Sequence, residues 1–291
     1  MFHFIKLRKI WYAISLLVIL PGLASLVLQG LNWGIDFKGG NLIEVRLEQD
    51  VRIEQVRNVV EKLGYGAARN IQQSGANDFI IRTRELTEAE SEKLISTLED
   101  DLGSVVLLRN ERVGPKIGRE LTFKAIWALL IASALMLIYI TFRFEFKQGV
   151  AAIIALLHDV LVVLGIFSLW QIEVNSAFVA AVLTIIGYSI NDSIIIFDRI
   201  RENMKMRKKG ESLEDLVNVS LWQTLARSIN TVLTVVFVLV ALYFLGGTTI
   251  KTFVLAMLIG VTSGAYSSIF SASPVWVELK LLENRGKART A

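Results

Sequence analysis

The chain of 291 residues contains no cysteine and only two histidines, His3 and His158. Without cysteine there can be no disulfide bond, no thiolate nucleophile and no cysteine-ligated zinc, and two histidines are too few for a histidine metal cage. Charged residues are also scarce, at 20% of the chain, while hydrophobic residues reach 53%; soluble domains carry about a quarter charged residues. This composition argues against an ordinary soluble enzyme, and we expect no metal ion or other cofactor.

The hydrophobic residues are gathered into runs of about 20 residues, the length that crosses a bilayer. The first run follows Lys6, Arg8 and Lys9, as in a signal peptide, but it exceeds the usual length of such a segment and no clear cleavage site follows. We interpret it as a retained membrane anchor that bends near Pro21. Six spans are predicted, at residues 11–31, 121–142, 149–170, 175–197, 226–246 and 251–272.

Lysine and arginine indicate the orientation of these spans, because positively charged loops stay in the cytoplasm. On one side 15 of these residues flank the spans, whereas the opposite short loops offer only Lys251. We therefore expect both termini in the cytoplasm and residues 32–120 outside. The basic loop RIRENMKMRKKG follows from this topology and carries no interleaved stacking aromatics, so nucleic acid is not an expected partner.

The external segment is predicted to contain a compact α+β unit at residues 41–112. Residues 41–48 alternate between polar and apolar side chains, as in a half-buried strand, and helical spacing follows from Val51 to Leu63. The order βαββαβ indicates a ferredoxin-like fold. The unit contains no histidine and no glycine-rich phosphate loop, so we expect no active site there. Its second half comprises a hairpin of residues 69–74 and 78–84, a helix opened by a capping box of Thr87 and Glu90, and a strand at residues 104–113.

Three further segments complete the predicted domain organisation. Residues 114–118 suggest a stiff bend between the external domain and the second span, because they contain two glycines and a proline. Ser212 begins an apolar stripe that predicts a separate amphipathic helix at residues 212–225 on the cytoplasmic surface. The predicted divisions are residues 1–31, 32–120, 121–272 and a cytoplasmic tail, 273–291.

Ionisable side chains inside the predicted spans are the candidates for function. Each costs about 2.5–3.5 kcal/mol at the centre of a bilayer, so each needs a partner or a role. His158 and Asp159 lie midway along the third span, Asn191 and Asp192 lie in the fourth, and Arg227 lies at the cytoplasmic start of the fifth. We interpret these residues as candidates for ion coupling, with His158 better suited to packing or hydrogen bonding.

Polar and small residues recur at helical spacing around these candidates. Because lipid penalises polar faces, we expect the polar stripes to face a bundle interior or a wet pathway. The small residues begin with G-x-x-x-G, a signal for close helix packing and a candidate partner interface. The stripes are Thr184, Gly187, Tyr188, Asn191 and Asp192 in the fourth span, Arg227, Asn230, Thr231 and Thr234 in the fifth, and Gly260, Gly264, Ser267, Ser268 and Ser271 in the sixth.

Depth in the membrane suggests one specific pair. Asp192 lies six residues before Asp198, where the fourth span ends, which is about 9 Å along a helix. Arg227 enters from the same side, and its long side chain can reach inward. We hypothesise an ion pair of Asp192 and Arg227 that opens when Asp192 takes a proton. The alternative stays open that Arg227 only snorkels to the interface and Asp192 only bonds a polar side chain on another helix.

Several motifs, in their order and placement on six spans, resemble the SecF family of the bacterial protein-export machinery. The resemblance covers residues 1–280. The motifs are WGIDFKGGNLIEV after the first span, RVGPKIGREL before the second, LLHD in the third, IGYSINDSIIIFDRIREN in the fourth, and QTLARSINT followed by YFLGG in the fifth.

The resemblance implies an RND-type half-transporter in the bacterial inner membrane, with SecD supplying the complementary six helices. Together they would act with the SecYEG translocon on a translocating unfolded polypeptide, driven by the proton-motive force, or by sodium in some relatives. The membrane aspartate and arginine of the family correspond to Asp192 and Arg227, and the role of Asp159 stays open.

Two other functions are weighed against protein export, and none of the three is enzymatic. One is a small-molecule or lipid exporter of the same superfamily, but an external domain of about 70 residues is small for building pockets of 300–1,000 Å³. The other is a scaffold that stabilises the translocon without transducing energy. Copurification of SecD and translocon subunits would favour export.

Overall fold

The computed structural model describes residues 2–65 and 71–290, without the side chains of residues 248 and 284–290. The chain divides into two compact units, one of Trp33–Ile126 and one of Met1–Asn32 with Trp127–Ala291. The helices are α1 Arg8–Leu28, α2 Ile35–Lys38, α3 Ile53–Lys62, α4 Glu88–Leu102, α5 Pro115–Arg143, α6 Phe146–Leu169, α7 Ser176–Lys205, α8 Leu213–Leu245, α9 Thr248–Ser267 and α10 Ser273–Thr290. The strands are β1 Asn32–Trp33, β2 Gly40–Leu47, β3 Ile71–Gln73, β4 Asp78–Thr83, β5 Val105–Val113 and β6 Glu173–Val174.

The unit of Trp33–Ile126 contains a four-stranded antiparallel sheet in the order β3-β4-β2-β5. The element order from β2 to β5 is βαββαβ, as predicted. The predicted hairpin is present as β3 and β4, although Arg69 and Asn70 at its start lie outside the described residues. That this unit lies outside the membrane stays a prediction.

The core of this unit lies between the sheet and helices α3 and α4. Ile43, Val45 and Leu47 of β2 are fully buried, as their alternation predicts. Leu42 and Glu44 on the other face are also buried, at 7% and 8% exposure, because β2 is a central strand between β4 and β5. The core side chains of the two helices are Val56, Val59, Val60, Leu94, Leu98 and Leu102.

The capping box predicted for α4 is present. The backbone N–H of Glu90 donates to Thr87 Oγ1 at 3.3 Å, and the N–H of Thr87 donates to Glu90 Oε2 at 2.8 Å. These reciprocal bonds satisfy two backbone donors that the helix itself leaves without a partner. The short sequence signal therefore predicted the start of the helix correctly.

The two adjacent glycines of the motif WGIDFKGGNLIEV lie where the chain enters β2. Gly39 and Gly40 have φ angles of 78° and 133°, a region that only glycine adopts readily. A Cβ on Gly39 would lie 3.0 Å from the backbone nitrogen of Pro115, and one on Gly40 would collide with the carbonyl oxygen of Thr83. The glycines therefore allow the chain to enter the sheet between two neighbouring backbones.

The other unit contains the helices that are long and apolar enough to cross a membrane. In the described part of the chain there are six such helical runs, as predicted, and α9 continues with α10 into the last of them, Thr249–Glu283. The runs differ in the buried share of residues in their most apolar stretch. This share is 50% in α6, α7 and the last run, but only 17% in α1, 6% in α5 and 11% in α8. The centre of the unit is therefore α6, α7 and α9, which pack on one another.

The predicted bend at residues 114–118 is wrong. Helix α5 begins at Pro115 and continues through Gly118 to Arg143. Proline is favourable at the first position of a helix, where its missing N–H costs nothing. Gly118 provides close contact instead of a bend, since a Cβ there would lie 2.7 Å from the carbonyl oxygen of Phe37.

The predicted separate helix at residues 212–225 is also wrong, because it is the first part of α8, which runs without interruption to Leu245. Ser212 does cap this helix, accepting from the N–H of Asp215 at 3.0 Å. The apolar stripe is buried inside the protein and not at a membrane surface. The N-terminal segment lies against this part of α8, where Asn218 Oδ1 accepts a hydrogen bond from the N–H of Phe4 at 2.8 Å.

The C-terminal residues 273–291 were predicted as a tail, whereas the structure continues them as helix α10 to Thr290. A π-helical turn at Ser268–Ala272 connects α9 to α10. Trp276 and Val277 of α10 are buried at 2% and 0% exposure. These contacts make the start of α10 part of the bundle. Pro21 lies within one continuous helix, α1. The bend expected near Pro21 stays a prediction.

Candidate functional site

Asp192 on α7 is a buried carboxylate with an unsatisfied oxygen. Its side chain is 5% exposed, and its Oδ1 atom has no hydrogen-bond partner among the described residues. Beside it lies a cavity of about 10 Å³, which is the space that one water molecule requires. The polar residues lining the cavity are Tyr188, Ser189, Asn191, Asp192 and Thr231.

Arg227 on α8 lies near this carboxylate without touching it. Its side chain is exposed in this chain, and it acts on Asp192 through electrostatic attraction across a distance. No ion pair joins the two within the described parts of the chain, so the predicted direct pair is not formed in this structure. Asp192 has no bond to an asparagine or serine through Oδ1 either.

The predicted polar stripes lie only partly inside the bundle. On α7, Thr184, Tyr188 and Asn191 are exposed, with Tyr188 at 38%. On α8, Asn230 is exposed and Thr231 is half-buried, its hydroxyl donating to the carbonyl of Arg227 at 2.9 Å. Within this chain these residues form an outer surface, so the expectation that they face a bundle interior or a wet pathway stays a prediction. A polar surface at membrane depth needs a covering partner or water.

Asp159 on α6 has the opposite environment from Asp192. It is fully buried, and both of its carboxylate oxygens accept hydrogen bonds. Oδ2 accepts from Ser189 Oγ at 2.6 Å and from Ser267 Oγ at 2.7 Å, while Oδ1 accepts from Ser263 Oγ at 2.7 Å. These bonds tie α6 to α7 and α9 at the centre of the unit.

His158 extends this cluster toward α1. Its Nδ1 lies 3.0 Å from Asp159 Oδ1, and its Nε2 lies 3.1 Å from Ser15 Oγ. The ring stacks on Tyr266 of α9, with centroids 5.8 Å apart, and the Tyr266 hydroxyl donates to the carbonyl of Trp11 at 2.7 Å. His158 therefore has a hydrogen-bonding contact at each ring nitrogen. Beside His158 lies a largely apolar pocket of about 450 Å³.

Gly260 and Gly264 provide the close packing that was predicted, but against a helix of the same chain. The side chain of Ile185 on α7 occupies the space where a Cβ of Gly260 would lie, and a Cβ on Gly264 would meet Ser189 Cα at 3.4 Å. This face of α9 is consequently covered by α7. The suggestion that it serves as the interface with a partner is wrong.

Sequence reasoning missed most of the hydroxyl groups in the cluster. Ser189 lies one helical turn from Asp192, on the side away from the predicted stripe, and nothing in its spacing connects it to Asp159. Ser263 could have been found, because it precedes Ser267 by four residues on the same helix. Ser15 and Tyr266 carried no signal, since their relation to His158 arises from the packing of α1 and α9.

Six helices in the described part of the chain are long and apolar enough to cross a membrane, and the carboxylates of Asp159 and Asp192 are buried among them. These features define a multi-pass membrane protein of the kind that forms transport subunits. Two family models match the chain: "Protein export membrane protein SecD/SecF, C-terminal" over residues 93–282, and "SecD/SecF GG Motif" over residues 24–51. The chain therefore belongs to the SecF family of protein translocase subunits, which confirms the resemblance seen in its motifs.

Curated relatives agree along nearly the full length. The chain is 46% identical to the protein translocase subunit SecF of Thermobaculum terrenum, over 94% of this chain and 92% of that protein. It is 40% identical to SecF of Vibrio alginolyticus, over 95% of this chain and 89% of that protein. The similarity thus includes both compact units.

A solved structure of SecDF from Thermus thermophilus, described as a translocon-associated membrane protein, shares the fold. The TM-score is 0.88 at 37% identity, over 96% of this chain. A SecDF structure in the super-membrane-facing form matches with a TM-score of 0.75 at 36% identity, over 100% of this chain. The chain spans only 38% and 40% of those two proteins.

Proposed function

We propose that this chain is an accessory subunit of Sec protein export that uses the proton-motive force to promote late translocation of polypeptides through SecYEG. The observation that carries the proposal is the unsatisfied oxygen of Asp192, buried at 5% exposure beside a water-sized cavity. An unpaired carboxylate at membrane depth is costly, and binding a proton removes that cost. Asp192 is therefore the proton-binding group in the proposed cycle.

Arg227 is the counter-charge in this proposal. It acts electrostatically on Asp192 from α8, and it is drawn closer when Asp192 is ionised and released when Asp192 is protonated. Each proton crossing 100 mV supplies about 2.3 kcal/mol, which is sufficient to bias two arrangements of α7 and α8 by roughly fiftyfold. Asn191 and Thr231, which line the same cavity, hold the water through which the proton arrives.

SecD is the proposed partner, and the outer polar surface supports this assignment. Thr184, Tyr188 and Asn191 on α7 and Asn230 on α8 are exposed in this chain, and lipid cannot satisfy them. The related SecDF chains are much longer than this one, which spans 38% of the first. The complementary six helices would cover these residues and close the proton pathway.

The remaining parts of the proposal follow from charge and composition. The distribution of lysine and arginine supports cytoplasmic termini in the bacterial inner membrane, with residues 32–120 outside. On that side the unit meets the polypeptide that emerges from the translocon. The proposal requires no enzymatic activity and no cofactor.

The test is Asp192→Asn, which cannot release or bind a proton but preserves size and polarity. In vesicles that contain SecD and the translocon, we expect export to fall to the level seen without a proton-motive force. Asp198→Asn, the same change near the end of the same helix, is the matched control and should leave export intact. Full potential-dependent export by Asp192→Asn would contradict the proposal. Export that continues after the membrane potential is uncoupled, but is lost when this chain is left out, would point to a non-transducing scaffold.

A further inference from the structure

Ser189 is the only described side chain that both bonds Asp159 and lines the cavity beside Asp192. Its hydroxyl donates to Asp159 Oδ2 at 2.6 Å, and the same residue forms part of the wall of the 10 Å³ cavity. It is 3% exposed, so the contact is shielded from bulk solvent. Ser189 thus connects two buried carboxylates of this unit, Asp159 through a hydrogen bond and Asp192 through a shared cavity.

We propose that Ser189 passes protons between the cavity beside Asp192 and the pair of Asp159 and His158, so that the two buried carboxylates take up protons as one coupled site. This inference rests on the proposed function of Asp192 and extends it to a second proton-holding group.

The transfer is balanced in atoms and charge. Protonated Asp192 gives its proton to a water in the cavity, the water gives one to Ser189 Oγ, and Ser189 gives its own hydroxyl proton to Asp159 Oδ2. Asp192 ends as a carboxylate and Asp159 as a carboxylic acid, while the water and the serine are restored. Hydroxyl groups serve this purpose because they donate and accept at the same time.

His158 allows Asp159 to keep the proton. Its Nδ1 lies 3.0 Å from Asp159 Oδ1 and its Nε2 lies 3.1 Å from Ser15 Oγ, so the neutral imidazole keeps both contacts while Oδ2 carries the proton. With a neutral imidazole the pair carries one negative charge before uptake and none afterwards. The proton is then stored where three helices meet.

Few other charged or titratable groups face this pair. Tyr266 of α9 stacks on His158, and from α1 the contact is Ser15, which does not titrate in this range. Beyond Ser189 lie Asp192 on α7 and, near it, Arg227 on α8.

Storage of the proton has a mechanical consequence. Ionised Asp159 accepts charge-assisted hydrogen bonds from Ser189 of α7 and from Ser263 and Ser267 of α9. Such bonds are roughly twice as strong as neutral ones. Protonation weakens all of them together, which loosens the attachment of α7 and α9 to α6. A proton entering at Asp192 therefore changes the packing at the centre of the bundle.

Proton flux into proteoliposomes that hold the full chain with SecD tests this relay. A pH-sensitive dye inside the vesicles reports uptake when a membrane potential is imposed. We expect Ser189→Ala to lower the flux at least tenfold. Ser267→Ala is the matched comparison, because Ser267 donates to the same oxygen of Asp159 and does not line the cavity. It should lower the flux only two- to threefold.

Equal losses in the two alanine variants would overturn the relay, since Ser189 would then only hold Asp159 in place. If Ser189→Ala does not fold, Ser189→Cys and Ser267→Cys repeat the comparison, because cysteine is close to serine in size but has only a weak S–H donor. Asp192→Asn is measured alongside. Flux that persists in Asp192→Asn contradicts the proposed function, whereas flux lost in Asp192→Asn but retained in Ser189→Ala overturns only the relay.

Discussion

Gly22 of α1 and Gly165 of α6 bring the backbones of the two helices into direct contact. A Cβ on Gly22 would lie 2.6 Å from Gly165 Cα, closer than any side chain tolerates. One turn further along, Ser25 Oγ and Ser168 Oγ are 2.7 Å apart and share a hydrogen bond. The buried residues of α1 are Ser15, Gly22 and Ser25, so small and polar contacts hold this helix in place.

Gly22→Ala should loosen α1 from the bundle. The added methyl group meets backbone atoms that cannot move aside as a side chain would, and overpacking of this kind costs about 1–3 kcal/mol. The measurement is thermal unfolding of the purified chain in detergent. Gly187→Ala is the control, because nothing lies within 4 Å of a Cβ there, and it should be neutral or stabilising. An equal loss of thermal stability in both variants would show that the contact between Gly22 and Gly165 is unimportant.

The two buried aspartates should differ in their contribution to stability. Asp159→Ala leaves the hydroxyls of Ser189 and Ser263 without their acceptor, and each unsatisfied buried donor costs about 1–3 kcal/mol. Asp192→Ala removes a carboxylate whose Oδ1 is already unpaired, so the cost should be small. Comparison of the unfolding midpoints of the two variants checks this. A larger drop in the unfolding midpoint for Asp192→Ala than for Asp159→Ala would refute the hydrogen-bond partners assigned to the two carboxylates.

Arg84 should control the protonation of Glu90 in the unit of Trp33–Ile126. The Arg84 guanidinium donates to Glu90 Oε1 at 2.6 Å, and this bond, followed by that from the Thr87 N–H, lowers the pKa of Glu90 to about 2. Since the folded pKa lies below the unfolded pKa of about 4.3, the stabilisation is fully present above that value. It is lost as the pH falls through about 2.

Arg84→Gln should therefore raise the pKa of Glu90 toward its usual range. Carbon-13 NMR of labelled glutamate side chains in the micelle-bound chain measures this directly. Arg46→Gln is the control: Arg46 bonds Asp78 instead, at 2.6 Å, and lowers the pKa of that carboxyl. It should leave Glu90 unchanged. A Glu90 pKa that does not move in Arg84→Gln would contradict the assigned cause.

Much of the fold was predictable because its signals are local. Crossing a bilayer requires about 20 consecutive apolar residues, so the six spans are visible in the composition of short stretches. The capping box of Thr87 and Glu90 involves residues only three positions apart. Continuity was harder to predict. The helical pattern does not show that the segment starting at Ser212 runs on into one long helix, α8, or that a further helix, α10, follows α9.

The candidate site was predictable only as a set of residues. Asp159, Asp192 and Arg227 were identified because ionisable groups are costly in a membrane, but their cost does not reveal their neighbours. The direct pair of Asp192 and Arg227 depends on the separation of α7 and α8, which is a property of packing. The exposed positions of Tyr188 and Asn191 likewise depend on which face of α7 the other helices cover.

The sequence by itself determined that this protein crosses the membrane six times, and its motifs placed it in the SecF family. Only the tertiary structure decided which buried carboxylate has partners. The hydroxyls that bond Asp159 lie 30, 104 and 108 residues further along the chain, whereas Asp192 is left with an unpaired oxygen. The physical reason is that a hydrogen bond requires atoms within about 3 Å, and distant segments reach that separation only when the helices pack.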